Sequence, residues 1–256
     1  MLNPVLIKEF RTQLRSHRYY TLAILYVLII SVVVFAMFWS ASTSKKTLSP
    51  EYDVRLSFIF FTVQMLAIYA ICPNFAISSI SIERQNLNFD VMRSTSLKHN
   101  QIISGKILPI ITYILILLFL SLPVALLIMP MSGGMAYCYL IVFVSTTVFC
   151  LMGFAWSSIF KNMRTATAMT YVTVGIFAFG TLLVPLVLNK IFHVKIAPVI
   201  TDLLNALNPL WVISKGITGS IWSMNLLFLP IWSILILFYL LLSVIVIVIS
   251  LMILRP

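Results

Sequence analysis

The stretch ILPIITYILILLFLSLPVALLIM, residues 107–129, decides the fold of this chain. It carries no charged side chain over a length that, as an α-helix, crosses the ~30 Å hydrocarbon core of a bilayer. Five further apolar runs of similar length lie at about residues 20–39, 58–80, 137–160, 166–188 and 226–253. The sequence therefore predicts an all-α integral membrane protein with six transmembrane helices, which we number as spans one to six.

The overall composition indicates that lipid is the main solvent of the protein. Apolar residues make up 61% of the 256 residues, charged residues make up 9%, and the mean hydropathy is +1.09. Such a chain has too few polar side chains to cover a soluble core. The net charge of +11 is typical of basic cytoplasmic loops rather than of nucleic-acid binding. We predict a single transmembrane domain over residues 1–256 and no nucleic-acid partner.

The distribution of Lys and Arg predicts the orientation. With the N-terminus in the cytoplasm, eleven of the 17 Lys and Arg residues fall on the inner side and six on the outer side. This bias follows the positive-inside rule. We expect a multi-pass protein of the cytoplasmic membrane with both termini inside, in which residues 81–106 form the cytoplasmic loop between spans two and three.

Residues 3–18 precede the first span and have the pattern of an amphipathic helix. Leu6 and Phe10 fall on the apolar side of a helical wheel. The other side carries Lys8, Arg11, Arg15 and Arg18. Asn3 followed by Pro4 is typical of a helix start, because Asn caps the helix and proline fits its first turn. We predict a helix in the cytoplasmic interface with its cations among anionic headgroups. A positive-inside anchor with no further role is the alternative.

The polar loop of residues 81–106 has more pattern than a simple connection needs. It contains no proline and no glycine before Gly105, and its apolar residues are spaced as in two short amphipathic helices. Ser94, Thr95 and Ser96 lie between these helices and suit a turn followed by a new helix cap. Helices of ~10 residues are marginal alone in water. The loop therefore needs a support, either the membrane surface or another protein.

At this loop the chain resembles the permease subunits of type-2 ABC exporters. Those subunits carry, between spans two and three, a pattern of roughly E-R-E-x-G-T-L-E-L-L-L-S-T-P-L-S followed by I-x-x-G-K. The matching residues here are Glu83, Arg84, Gln85, Phe89, Asp90, Val91, Met92, Ser94, Thr95, Leu97, Ile102, Gly105 and Lys106. The stretches NPVLIKEFR (3–11) and LNALNPLWVISKGI (204–217) add to the resemblance. Leu87 and Ser96 depart from it, at the usual glycine and proline.

The resemblance implies a set of partners. In that family the loop seats a coupling helix on a cytosolic ATPase. The residues expected at or near this contact are Glu83, Arg84, Phe89, Asp90, Val91, Arg93, Gly105 and Lys106. Two ABC ATPase subunits and a second permease, identical or related, are expected in each transporter, with ATP and Mg bound by the ATPases and no cofactor bound by this chain. The many Phe, Met and Trp residues would suit an apolar or amphipathic cargo, such as a peptide or a lipid.

The sequence holds no sign of catalytic chemistry of its own. The pair Gly105-Lys106 is not followed by Ser or Thr and lacks the earlier glycine of a phosphate-binding GxxxxGK[ST] loop. Cys72, Cys138 and Cys150 show neither CxxC nor Cys/His metal spacing. We expect neither enzyme activity nor a metal site. The alternatives to an exporter subunit are a stand-alone secondary carrier or channel and a nontransporting membrane sensor or scaffold.

A few polar and small residues inside the spans are candidates for particular roles. Gln64 and Asn74 in span two, with Thr170 and Thr173 in span five, are candidates for a substrate path. Hydrogen bonds between helices are the alternative use of these side chains. Gly153, four residues before Ser157 on span four, is typical of a close approach between two helix backbones.

The segment of about residues 198–213, between spans five and six, is apolar but too short to cross the bilayer. Pro209 is expected to disturb its end. We predict one short re-entrant or surface helix on the outer side. In exporters of the family that the chain resembles, such helices shape the exit gate; a segment packed on the bundle without a gating role is the alternative.

Overall fold

The protein is built almost entirely of helices. The computed structural model describes residues 4–43, 50–85, 99–128, 133–160, 162–190, 198–218, 225–226 and 229–254. Within these ranges the α-helices are α1 (Pro4–Arg15), α2 (His17–Thr43), α3 (Pro50–Gln85), α4 (His99–Ile128), α5 (Gly133–Ile159), α6 (Met163–Gly175), α7 (Thr181–Lys190), α8 (Pro198–Ala206), α9 (Pro209–Ile217) and α10 (Ile231–Leu254). A five-residue π-helical turn, Ile176–Gly180, joins α6 to α7. The short strands β1 (Asn225–Leu226) and β2 (Leu229–Pro230) pair in antiparallel fashion just before α10.

Among the described residues, six helical segments are long and apolar enough to cross a membrane, which confirms the predicted all-helical fold with six spans. Spans one to four are α2, α3, α4 and α5. Span five runs from α6 through the π-helical turn into α7, and span six is α10.

Spans two and four form the centre of the bundle. In their most apolar stretches 61% and 72% of the residues are buried, against 17% in each of spans one, five and six. α3 packs on α5 and α4, and α10 also packs against α5. Rings fill the contact between α3 and α5: the centroids of Tyr69 and Phe149 lie 4.7 Å apart in a T-shaped pair. Such packing favours association in lipid, where burial of apolar surface alone gives little advantage.

Gly153 lies where α5 closely approaches α3. A Cβ atom on Gly153 would lie 3.2 Å from the carbonyl oxygen of Pro73 and 3.2 Å from Cγ1 of Ile77. Any larger residue would therefore have to push α3 away from α5. This contact confirms the close backbone approach predicted at Gly153. Ser157 is buried as well, and its hydroxyl donates to the carbonyl oxygen of Phe154 in its own helix.

The prolines inside the spans do not interrupt their helices, with one exception. Pro73 lies within α3, Pro109 and Pro123 within α4, and Pro185 within α7. Pro230 instead ends β2, and α10 begins only at Ile231. The prediction that span six starts at about residue 226 was therefore wrong. A proline at the boundary suits a helix start, because the first turn has no use for its missing N–H.

The helix predicted for residues 3–18 is shorter than expected. α1 ends at Arg15, Ser16 is not helical, and α2 starts at His17, so that Arg18 belongs to the first turn of span one rather than to the amphipathic helix. The Ser16 N–H donates to the carbonyl oxygen of Gln13, and the Ser16 carbonyl oxygen accepts from the N–H of Tyr19. These bonds give partners to backbone groups at the boundary between α1 and α2.

The single short helix predicted at about 198–213 was also wrong, because the structure contains two. α8 ends at Ala206, and α9 begins at Pro209 and continues to Ile217. The break between them lies inside the protein, since Asn208 is fully buried. Pro209 has no N–H with which to continue α8, but its fixed φ suits the first turn of a new helix.

Candidate functional site

One buried lysine joins three helices at the end of the bundle that carries α1. Lys106, near the start of α4, is 2% exposed. Its Nζ donates to the carbonyl oxygen of Ser79 in α3 at 2.8 Å and to Oε1 of Glu9 in α1 at 3.4 Å. Lysine is almost never buried unless it is paired, because an isolated ammonium loses its hydration. We call the contact of Lys106 with Glu9 and Ser79 the lysine junction.

Glu9 reaches the lysine junction because it lies on the packed face of α1. Val5 is buried, and Leu6 and Phe10 are half-buried on the same face. This face packs on α4. The basic residues Lys8, Arg11 and Arg15 lie exposed on the opposite face. α1 is thus amphipathic as predicted, but its apolar face rests on protein and carries one acidic side chain.

Three aromatic rings lie beside the lysine junction. Tyr19, at the start of α2, stacks on Phe75 of α3 with ring centroids 4.2 Å apart. Tyr113 of α4 meets both rings edge-on, at 5.2 Å and 4.9 Å. The Tyr113 hydroxyl also donates to the carbonyl oxygen of Tyr19 at 3.1 Å. Such offset and edge-on contacts stabilise beyond area burial. The lysine junction and this cluster together fix the starts of α2 and α4 to the last third of α3.

At the opposite end, one asparagine connects span five to α9. The Asn208 side-chain oxygen accepts from the N–H groups of Leu210 and Trp211 at 2.9 and 3.3 Å, and so caps α9. Its Nδ2 donates to the carbonyl oxygen of Ala178, in the π-helical turn, at 2.8 Å. The same Nδ2 donates to Oγ1 of Thr181, the first residue of α7, at 2.7 Å. We call this set of bonds the asparagine junction.

A third polar contact lies between spans two, three and four. Gln64 is fully buried in α3, and its Nε2 donates to Oγ of Ser121 in α4 at 2.9 Å. The Ser121 Oγ also lies 3.0 Å from the hydroxyl of Tyr139 in α5. Interhelical hydrogen bonds of this kind are typical of helix contacts within membranes.

The arrangement is therefore a six-span bundle with a polar junction at each end. The sequence profile of one protein family, described as ABC-2 type transporter, matches residues 4–188. This match runs from α1 almost to the end of α7 and covers well over half of the chain. The chain belongs to the ABC-2 type transporter family. A search of curated protein sequences gave no match.

Membership of the ABC-2 family confirms the resemblance noted at the loop between spans two and three. It also means that the chain is a transmembrane component of a transporter and not a nucleotide-binding domain. In the described part of the chain, no group of three or more His, Cys, Asp or Glu residues could hold a metal ion.

The structure places only part of the candidate ATPase contact of this ABC-2 protein. Glu83 and Arg84 lie in the last turn of α3, and Gly105 and Lys106 are buried near the start of α4. The remaining candidates, Phe89, Asp90, Val91 and Arg93, lie outside the described residues. The end of α3 and the start of α4 thus flank residues 86–98, and the lysine junction joins these two helices close to that segment.

The candidates for a substrate path lie in different surroundings. The Thr170 hydroxyl donates to the carbonyl oxygen of Ala166, and the Thr173 hydroxyl donates to that of Thr170, so both are bonded within α6. Thr170 is buried, with its Cγ2 facing Gly153, whereas Asn74 is exposed on α3. Together with the buried Gln64, these residues do not form one group. Their role in a substrate path stays a prediction.

Sequence reasoning missed Glu9 and Asn208, although both carried a signal. Glu9 falls four residues after Val5, on the apolar side of the α1 wheel, where a lipid-facing helix would not tolerate a carboxylate. Asn208 precedes Pro209 in the same Asn-Pro pair that predicted a helix start at residues 3–4.

Proposed function

We propose that this ABC-2 family member is the permease subunit of an ATP-driven exporter, moved by a separate ATPase that docks on the loop of residues 81–106. The observation that carries the proposal is the lysine junction at the base of this loop. A loop that transmits force from a soluble partner must be rigidly connected to the transmembrane helices. Lys106 provides such a connection at the end of the loop, because it links α4 to α3 and α1.

Force applied to the loop would reach the centre of the bundle. α3 and α4 both end at the loop, and α3 packs on α5, α4 and α6. Tyr171 of α6 donates to the carbonyl oxygen of Ala70 in α3 at 2.6 Å, so that span five is bonded directly to span two. A tilt of α3 would therefore displace the start of span five. Domain-scale motion of this kind is typical of ligand-driven switching.

The ATP and Mg of the reaction belong to the partner in this proposal. Two ABC ATPase subunits would bind ATP, close on each other, and pull on the two loops of a pair of permeases. We place the loop and both termini in the cytoplasm and the chain in the cytoplasmic membrane of a bacterium. The excess of Lys and Arg on that side supports this orientation.

A second copy of the chain, or a related permease, would cover the exposed side of span five. Only 17% of the most apolar stretch of this span is buried. The start of this span presents an open surface that includes Asn162, Met163, Arg164, Thr165, Thr167 and Ala168. We propose that an apolar or amphipathic cargo, peptide-like or lipid-like, passes along this side of the chain.

Co-purification with the ATPase tests the proposal. Expressed together with the ABC ATPases of the same organism, the chain should purify in a 1:1 ratio with one of them. Replacing Asp90 and Val91 by proline should remove the ATPase, because proline breaks the helix predicted there. The matched control replaces the same two residues by alanine, which preserves a helix and should retain most of the ATPase.

Three outcomes would contradict the proposal or its docking surface. A purified chain that moves solute across proteoliposomes at full rate without ATP would indicate a stand-alone carrier or channel. An ATPase that remains bound to the proline variant would place the docking surface elsewhere on the chain. ATPase binding without any flux would indicate a sensor or scaffold.

A further inference from the structure

The asparagine junction uses the whole hydrogen-bonding capacity of one side chain. Nδ2 donates twice, to Ala178 and Thr181, and Oδ1 accepts twice, from Leu210 and Trp211. An amide offers two donors and one oxygen with two lone pairs, so that no capacity remains. Asn208 is also fully buried. Separating α9 from span five would leave polar groups without partners in apolar surroundings, which is strongly unfavourable.

The bond to Ala178 falls where span five departs from regular α-helix. In the π-helical turn the backbone bonding shifts from i→i−4 to i→i−5, and such turns often occur at functional sites. Ala178 is buried in this turn, and its carbonyl oxygen receives the Asn208 amide. Thr181 starts the regular helix again, and its hydroxyl oxygen accepts the second amide hydrogen. Asn208 therefore holds the turn and the start of α7 together.

The residue before the turn has a different environment. Gly175 ends α6, and a Cβ built on it would meet no atom within 4 Å other than its own helix backbone and chain neighbours. Packing would therefore allow a residue with a Cβ atom at this position. Glycine in a helix interior instead gives the backbone more freedom than any other residue.

We propose that Asn208 is a positioning residue that makes α9 and the second half of span five move as one rigid unit, with bending of the span confined to the backbone around Gly175. Only the purpose of this bending rests on the proposed exporter function: in an exporter, the bend would open the outer end of the transport path. The rigid unit itself is a property of the chain alone.

Distances between spin labels on the full chain in lipid nanodiscs test the proposal. The first pair, Leu183→Cys with Thr218→Cys, reports on α7 against α9. The second pair, Met169→Cys with Leu183→Cys, spans the turn over roughly 21 Å of helix. The labelling sites are exposed, whereas the native cysteines Cys72, Cys138 and Cys150 are buried.

Asn208→Asp should broaden the distance distribution of the first pair at least twofold. The variant keeps an oxygen to cap α9 but loses both donors to Ala178 and Thr181. Thr181→Val, which removes only one acceptor, should broaden it less. Thr112→Val is the matched control and should change nothing, because the Thr112 hydroxyl bonds only within α4, to Leu108, at 3.0 Å.

Gly175→Ala should narrow the distribution of the second pair and leave the first pair unchanged, because the added methyl fits but restricts the backbone. Unchanged first-pair distances in folded Asn208→Asp or, if that variant does not fold, in Thr181→Val would overturn the rigid unit. A Gly175→Ala effect as large on the first pair as on the second would overturn the position of the bend. Neither measurement needs an ATPase or a cargo, so a failure of the exporter proposal would be seen separately.

Discussion

The two ends of the bundle are each held by one buried polar side chain, but the chemistry differs. At the α1 end Lys106 carries a charge and meets the carboxylate of Glu9. At the α9 end Asn208 is neutral and acts as donor and acceptor at once. The lysine junction joins separate helices beside a polar loop, whereas the asparagine junction joins a span to the short helix that follows it.

This difference teaches how each junction responds to the loss of a partner. In a buried ion pair, the attraction between the two charges offsets the cost of removing both from water. Removing one charge leaves the other buried without that attraction. An amide loses only hydrogen bonds, each of modest net value. The charged end should therefore be the more sensitive to substitution of one partner and the more readily rescued by substitution of both.

The largest effect is expected for Glu9→Leu. The change removes the Glu9 carboxylate from beside the buried ammonium of Lys106. The free energy of unfolding should fall by about 3 kcal/mol, at the lower end for a buried pair, because the Glu9 side chain is 16% exposed. Lys106→Met removes the charge itself and should cost less. The double variant should recover much of the loss from Glu9→Leu. Unfolding in mixed micelles with increasing SDS measures all three; a Glu9→Leu cost below that of Lys106→Met would contradict the comparison.

Asn208→Ala should have the next largest effect. It removes the cap of α9 and both bonds to span five, and the free energy of unfolding should fall by about 2 kcal/mol. Thr181→Val should cost about half of that, on the order of 1 kcal/mol, because the shape is kept. It loses the bond from Asn208 and the long 3.5 Å bond from the Thr181 hydroxyl to the Phe177 carbonyl oxygen. The same SDS titration applies. Equal costs for the two variants would mean that neither the cap of α9 nor the bond to Ala178 contributes to stability.

Tyr113→Phe should have a smaller effect at the α1 end. The ring stays between Tyr19 and Phe75, and only the 3.1 Å bond to the Tyr19 carbonyl oxygen is lost. We expect a cost of about 1 kcal/mol. Thr112→Val, one residue earlier on the same helix, controls for loss of a hydroxyl that bonds only within α4. If Tyr113→Phe costs no more than the control, the aromatic cluster stabilises the protein through ring packing alone and not through the hydrogen bond.

The smallest expected effect is the coupling between the two ends. Lys106→Met and Asn208→Ala share no bonding partner, so their costs should add to within about 0.5 kcal/mol in a double variant. The four free energies of this cycle give the coupling directly. A larger value would show that the two junctions already communicate in the absence of ATPase and cargo.

The six spans could be predicted from the sequence because length and apolarity alone decide whether a helix crosses a bilayer. Residues 107–129, for example, lie within α4 except for Met129, the last of the stretch, which falls outside the described residues. The close approach at Gly153 was equally predictable, because a glycine four residues before a serine can be read directly from the sequence. These features depend on local properties of one helix.

The two junctions could not be predicted in full, because they depend on which helices become neighbours. Lys106 and Glu9 are 97 residues apart, and nothing local in the sequence pairs them. The π-helical turn that accepts the amide of Asn208 has no sequence signature beyond Gly175 before it and Gly180 at its end. Gln64 shows the same limit: its polarity inside a span was visible, but its partner Ser121 was not.

The close packing of α3 on α5 restricts where any transported molecule could travel. Pro73 and Gly153 leave no space for even a methyl group between these helices without displacement. The space between these two helices is therefore closed at this level of the bundle. In the proposed exporter, a cargo would move along the outer surface of the chain, and a second permease would supply the facing wall.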